Sequence, residues 1–509
     1  MMYPLTFVIA LITLTAWFYL RDKEQRGDFL RKLFYVSFAA FAVSWLLSKG
    51  DYSYKLVVLG RELLVLAVVP FVLGLFRRTK WAYIALLVAA FGLLKAFYFQ
   101  HLKTTFPQVQ QAEAPVFGEL DKQGELLVEI KDELQISDVQ EVLMKYELAS
   151  RRAFFPKDAD FTDLDDYYVL DVPLKFQSKM GEIIAALEAT GSVDWVEANE
   201  QLTLSPIEAQ RPTPKPDNKF GINDPGLQYL WGFNEMKVDD LYEVLKNRKP
   251  QKKALIAILD TGVDANHEDL KDNFTSTNPK YDSDKLGHGS HCAGIAAAVS
   301  NNGIGVASFS QTNAFVNVTS VKVLSDNGFG TQQGIINGMI EAADAGADVL
   351  SMSLGGFSTD RKQRAYQKAV EYANRKGGIV IAAAGNANRN ARDFAPANAP
   401  GVIAVSAVDT LLGRASFSNF IQDVKMAVAA PGVKIYSTTP GNQYQTLNGT
   451  SMAAPYVSGL VGLMKSLKPG LTTEQVFQVL NKTGTETKNT KETGKLIQPG
   501  AAIRELMKS

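Results

Sequence analysis

From Lys252 to about Val408, five short apolar runs rich in β-branched residues alternate with stretches of helical period. The runs are "ALIAILD" (254–260), "AFVNVTSVKVL" (314–324), "ADVLSMS" (347–353), "GIVIAAAG" (378–385) and "GVIAVSAV" (401–408). Between them lie helical stretches such as "TQQGIINGMIEAADAG" and "RKQRAYQKAVEYANRKG". A strand that is apolar on both faces must be covered on both, and parallel neighbours need helical crossovers. The pattern therefore predicts an α/β fold, a parallel sheet with helices on both faces. Ligands of such sheets sit outside the carboxyl ends of the strands.

Those ends carry chemistry. The first run delivers Asp260, the third Ser353, and the fourth Asn386 just after Gly385. Two small-residue helices start nearby, "GHGSHCAG" at His288 and "TSMAAPYVSG" at Ser451. Taken alone, Ser451 reads as a helix cap, Asp260 before Thr-Gly as a turn residue, and Asn386 as a left-handed turn residue. Together they supply a carboxylate, an imidazole, a hydroxyl and a carboxamide. A serine nucleophile needs a base, a group to orient that base, and donors for the oxyanion.

With these motifs in hand, the sequence resembles the subtilisin-like serine proteases. The resemblance covers residues 221–509 through "ILDTGVD", "GHGSHCAG", "SMSLGG", "AAAGN" and "NGTSMAAPYVSG" in the family's order. It implies that Asp260 orients, His288 is the base, Ser451 the nucleophile and Asn386 the oxyanion donor. It also implies an endopeptidase, with peptide laid along Ser353, Leu354, Gly355 and Gly356. The specificity pocket would lie between that segment and Ala384–Gly385. The resemblance further implies a structural calcium site at Asp224, Asp269 and Asn302, whose hard oxygens suit the ion. The H-x-x-H-C run of His288, His291 and Cys292 looks like a zinc motif, yet four His and one Cys leave no spaced partner pair. Cys292 is read instead as a buried thiol beside the base.

The chain has 509 residues, too many for one core. Residues 1–104 hold 13 Lys/Arg against 5 Asp/Glu, and the remainder 40 against 48. No basic stripe points to nucleic acid. Within the basic part, Leu5–Leu20, Leu33–Leu47, Leu56–Phe76 and Trp81–Phe99 are apolar runs, read as four transmembrane helices. The first connection holds Arg21, Lys23, Arg26, Arg31 and Lys32, and the third Arg77, Arg78 and Lys80. By the positive-inside rule both are cytoplasmic, which places everything after Phe99 outside the cell membrane.

Residues 113–204 read as a small α+β ferredoxin-like domain, from "ELLVEIKD" to "VDWVEAN". Its position resembles the family's inhibitor-type propeptides. A Pro-rich linker, "SPIEAQRPTPKPDNKF" (205–220), separates it from the catalytic domain. The combined expectation is a membrane-anchored, outward-facing serine endopeptidase that cuts itself between about Ser205 and Phe220. Its partners would be polypeptide substrates, the lipid bilayer and its own propeptide-like domain. A membrane sensor or transport module whose protease domain mainly binds peptides is the alternative.

Overall fold

The structure is a computed structural model. It describes residues 2–20, 22–47, scattered positions between 59 and 79, and 124–508 apart from 205, 216–217 and 359–363. The chain divides into two compact units, Met1–Val116 and Phe117–Ser509.

In the first unit, α1 (Met2–Leu20) and α2 (Glu24–Leu47) form an antiparallel pair. Phe7, Ala10, Leu11 and Leu14 of α1 pack with Phe41 of α2. Hydroxyls also meet across this seam, Thr13 with Ser37 at 2.8 Å and Thr6 with Ser44 at 2.6 Å. Outward, Ile9, Ile12, Val36 and Val43 are exposed. Among the described residues no helix is long and apolar enough to cross a membrane. This corrects the expectation of four spans for the two runs that can be followed. The first falls on α1, whose apolar run is interrupted by Thr6, Thr13 and Thr15. The second falls on α2, whose opening turns carry Arg26, Asp28, Arg31 and Lys32, so that only its second half is continuously apolar. The third and fourth runs lie largely or wholly outside the described residues.

The second unit begins with an antiparallel sheet of β1 (Leu126–Ile130), β2 (Ala149–Arg152), β3 (Tyr167–Asp171) and β4 (Val193–Ala198), in the order β2-β3-β1-β4. Helix α3 (Gln140–Lys145) links β1 to β2, and α4 (Met180–Ala189) links β3 to β4. Alternation along β1 decides what each face meets. Leu126, Val128 and Ile130 join Leu143, Ile183 and Leu187 in a core of the small domain's own. Leu127 faces the other way and, with Tyr167 and Val169, joins a core that belongs mostly to the large sheet and its helices. The small domain is thus docked, and its second face has no cover of its own.

The large sheet has six parallel strands in the order β15-β14-β12-β10-β7-β8. These are β7 (Ala254–Asp260), β8 (Val316–Lys322), β10 (Val349–Met352), β12 (Ile379–Ala383), β14 (Val402–Val408) and β15 (Ala427–Pro431). Residues alternate between two cores here as well. Ile256 and Ile258 face the core holding α5 (His288–Ala297) and α8 (Thr450–Leu467). Ala257 and Leu259 face that of α6 (Gln332–Asp344) and α7 (Arg364–Arg375). Short strands frame the carboxyl ends: β9 (Phe329–Thr331), β11 (Gly356–Phe357) with β13 (Phe394–Ala395), and β16 (Ile435–Thr439) with β17 (Gln443–Asn448). The end of the small domain adds β5 (Gln201–Thr203) on β9, and the linker adds β6 (Ile207–Glu208) on β17.

Candidate active site

Asp260 is the last residue of β7 and is fully buried. His288 is the first residue of α5, after Gly287 at φ +91°. Its Nδ1 lies 2.9 Å from both Asp260 carboxylate oxygens. The Thr261 N–H donates to the same carboxylate at 2.7 Å. Close approach of helix and strand end requires Gly289, since a Cβ there would run into the Gly262 carbonyl. Asp284, which sequence reasoning passed over, ties these pieces together. One of its oxygens accepts from the Thr261 hydroxyl and the Gly287 N–H, the other from the Ser290 N–H and hydroxyl. The signal was a lone carboxylate four residues before His288, at the helix N-terminus where anions are favoured.

Burial opposes charge on His288, but the Asp260 carboxylate outweighs it and holds the imidazole pKa well above its ordinary value. The Cys292 thiol lies 3.9 Å from His288 Nδ1 and donates to the Ser451 carbonyl at 3.4 Å. Burial raises the thiol pKa. His291 is turned away, with Nε2 at the Gln445 carbonyl, and burial pushes its pKa down to about 3. Among the described residues, the three possible metal donors that do converge are Asp260, His288 and Cys292. Two of these already form the carboxylate–imidazole pair, so the H-x-x-H-C run does not assemble as a ligand set.

Ser451 is the second residue of the buried helix α8. Its hydroxyl donates to the Ser353 carbonyl at 2.9 Å, and the Ser353 hydroxyl donates back to the Ser451 carbonyl at 2.7 Å. Among the described residues no hydrogen bond joins Ser451 to His288. Asn386 Oδ1 accepts from both the N–H and the hydroxyl of Thr450, at 2.9 and 2.8 Å. That fixes the amide with its Nδ2 beside Gly449, 3.4 Å from where a Cβ would stand. The Thr450 hydroxyl in turn accepts from the Gly385 N–H. Leu354 and Ala384 are buried, while Gly355 and Gly356 are half-buried at the edge of the crevice. Sequence reasoning missed the opposite wall, β9, which pairs with β5.

Asp224, Asp269 and Asn302 also come together. Asp224 accepts from the N–H groups of Asn301 and Asn302, and Asp269 from the Asn302 side chain and the Val306 N–H. Both carboxylates are buried, and among the described residues no Lys or Arg pairs with either. Burial, with Asp224 nearby, pushes Asp269 up to about 8. Two buried carboxylates lacking a cationic partner fit a calcium ion.

The chain matches the Subtilase family over residues 251–496. It is 45% identical to "Thermitase" of Thermoactinomyces vulgaris over 218 residues, 42% of this chain and 75% of that protein. It is 41% identical to "Subtilisin DY" of Bacillus licheniformis over 237 residues, 45% of this chain and 83% of that one. The chain belongs to the subtilase family. This subtilase is a subtilisin-like serine endopeptidase. A third relative, "Thermophilic serine proteinase" of Bacillus sp. (strain AK1), is 41% identical over 243 residues, 47% of this chain and 58% of that protein. All three matches are shorter than residues 221–509, so the regions before them are argued from this chain alone.

Proposed function

We propose that this subtilase cleaves polypeptides with Ser451 as nucleophile, His288 as base and Asp260 as the group that orients the base. The observation that carries the reading is the buried Asp260–His288 pair, both oxygens 2.9 Å from Nδ1. That contact fixes the tautomer with its proton on Nδ1 and leaves Nε2 to take a proton. The Ser451 hydroxyl turns from the Ser353 carbonyl toward Nε2 when substrate arrives, and His288 then passes its proton to the leaving amine. The Asn386 side chain and the Ser451 N–H at the helix start stabilise the oxyanion. Substrate runs between Ser353–Gly356 and β9, beside the pocket at Ala384–Gly385.

The finer parts of the proposal have separate support. Asp224, Asp269 and Asn302 would hold a structural calcium ion, which takes no part in the reaction. Residues 1–104 would keep the enzyme at a membrane with its catalytic domain outward. Support comes from their basic excess and from the α1–α2 pair, with hydroxyls inward and apolar side chains outward. The α+β domain would act as the enzyme's own propeptide-like partner. Its Glu129 pairs with Lys368 at 2.6 Å and Arg364 at 3.1 Å. Its Glu197 and Asn199 accept from Gln332 and Gln333 at the start of α6. Self-cleavage within 205–220 would release the catalytic part.

The test is covalent labelling of the processed enzyme with a fluorophosphonate, followed by peptide mapping. Label at Ser451 together with peptide hydrolysis is expected. Turnover that survives Ser451→Ala would overturn the assignment, and peptide binding without turnover would favour the sensor or transport alternative.

A further inference from the structure

The specificity pocket has a glycine on each wall, Gly355 on one and Gly385 on the other, and one short strand stands against both. β13 pairs antiparallel with β11, Gly356 opposite Ala395 and Phe357 opposite Phe394. The Ser358 N–H extends that ladder to the Asp393 carbonyl at 2.7 Å. A Cβ on Gly355 would stand 2.9 Å from the Ala395 carbonyl oxygen. A Cβ on Gly385, which has φ +101°, would stand 3.3 Å from Phe394 Cδ1. β13 therefore touches both walls, and the side chain it sets against Gly385 is a phenyl ring, 8% exposed.

That ring is held in place. The Phe357 ring meets it edge-on, with centroids 5.9 Å apart and planes at 87°, an arrangement that aromatic pairs favour. The Phe394 carbonyl accepts from the Asn398 N–H at 3.0 Å, which fixes the backbone on the far side. The Asn419 side chain, also packed against Gly385, is engaged elsewhere. Its Nδ2 donates to the Ala384 carbonyl at 2.8 Å, and its Oδ1 accepts from the N–H groups of Ala387 and Arg389.

We propose that Phe394 sets the substrate class. Its ring fills the bottom of the pocket, so the enzyme cuts polypeptides after a small uncharged residue such as Ala, Gly or Ser. This rests on the endopeptidase reading above. A methyl group entering between Gly355 and Gly385 meets the ring in ordinary contact. A Leu or Phe side chain has to displace the ring, which strains closely packed side chains and breaks the contact with Phe357. A Lys or Glu side chain is rejected for a second reason. Leu354, Ala384 and Phe394 offer it no ionic partner, and a charge buried without one is costly.

The experiment measures kcat/KM for peptide p-nitroanilides that differ only at the residue before the scissile bond, with Gly, Ala, Ser, Leu, Phe or Lys there. Rates are expressed per active site titrated with a fluorophosphonate, in wild type, Phe394→Leu and Phe394→Ala. Wild type is expected to cut the Ala peptide roughly tenfold faster or more than the Leu, Phe and Lys peptides, the scale on which a pocket rejects a side chain too large for it. In Phe394→Ala the Phe-to-Ala and Leu-to-Ala ratios should rise by roughly tenfold or more. The Lys peptide should stay poorly cut, and Phe394→Leu should fall between. A substitution that only loosens the fold lowers every rate alike, so the ratios report pocket size and not stability. The wild-type series needs no substitution. Wild type that prefers the Leu, Phe or Lys peptide would overturn the proposal, as would ratios that neither variant changes. Absence of turnover on every peptide would instead overturn the endopeptidase reading.

Discussion

The active site has two halves in different states of readiness. Asp260 and His288 already stand in working contact, braced from below by Asp284. Ser451 and Ser353 instead hold each other, hydroxyl to carbonyl in both directions, and Asn386 is locked to Thr450. The first half is fixed by a buried ion pair, the second by a hydrogen-bonded clasp that has to open before chemistry. The difference separates what the fold supplies permanently, an oriented base, from what substrate must complete.

Removing the nucleophile breaks this comparison most severely. Ser451→Ala is expected to lower kcat by about 10⁶-fold, the scale measured for subtilisin and not obtained from this geometry. Single-turnover assays on the processed enzyme check it. His288 and Asp260 remain paired in that variant, so an intact first half alone gives no turnover.

Asn386 allows a sharper cut, because its two ends do different things. Asn386→Leu removes the donor and also the acceptor that holds Thr450. Asn386→Asp keeps an acceptor for the Thr450 N–H and hydroxyl but offers no donor. Both are expected to lose about 10²–10³-fold in kcat with KM nearly unchanged. Their melting temperatures should part, with Asn386→Asp closer to wild type. A kcat near wild type in Asn386→Asp, with loss only in Asn386→Leu, would mean that the clasp, and not the oxyanion, is what Asn386 serves.

The motif-bearing half of the molecule was the more legible one. Asp260, His288, Asn386 and Ser451 lie in short segments whose residue types and order carry the chemistry. The strand runs at 254–260, 378–385 and 401–408 were plain because both faces are buried. Asp284 was not legible, since a single carboxylate in a polar loop has many readings. β9 and β6 are three and two residues long, with no alternation to find. The Arg211 guanidinium of the linker lies over the rings of Tyr229 and Tyr436, a contact that no local sequence pattern signals. The expectation of four spans came from apolar runs, which register apolar content but not that the helix around the second run opens on charged turns.

Calcium tests a region away from both halves. If Asp224, Asp269 and Asn302 share an ion, chelation should lower the melting temperature of the processed enzyme. Asp269→Asn should abolish that response while keeping an acceptor for the Val306 N–H. The Asp260–His288 pair is untouched, so kcat should hold at temperatures below the transition. A melting curve indifferent to chelator and added calcium would remove the site.

Cys292 touches both halves, and its effect should be the smallest. The thiol is 3.9 Å from His288 Nδ1 and donates to the Ser451 carbonyl, so it packs where base and nucleophile segments meet. Burial keeps it protonated, so it does not compete as a nucleophile. The catalytic form of His288 is the neutral imidazole, and activity falls as pH drops through its pKa. With that pKa raised, the acid limb of kcat/KM should lie above the ordinary histidine value of 6.5. Cys292→Ala leaves the Asp260 carboxylate, which favours the imidazolium, in place, so the limb should stay where it is. It should cost about 1 kcal/mol of stability, the scale of one buried small group. A bulky mercurial should slowly inactivate wild type, by forcing the two halves apart, and leave Cys292→Ala untouched. If Cys292→Ala folds normally yet loses all activity, the thiol takes part in the reaction, and the two halves are joined by chemistry and not by packing alone.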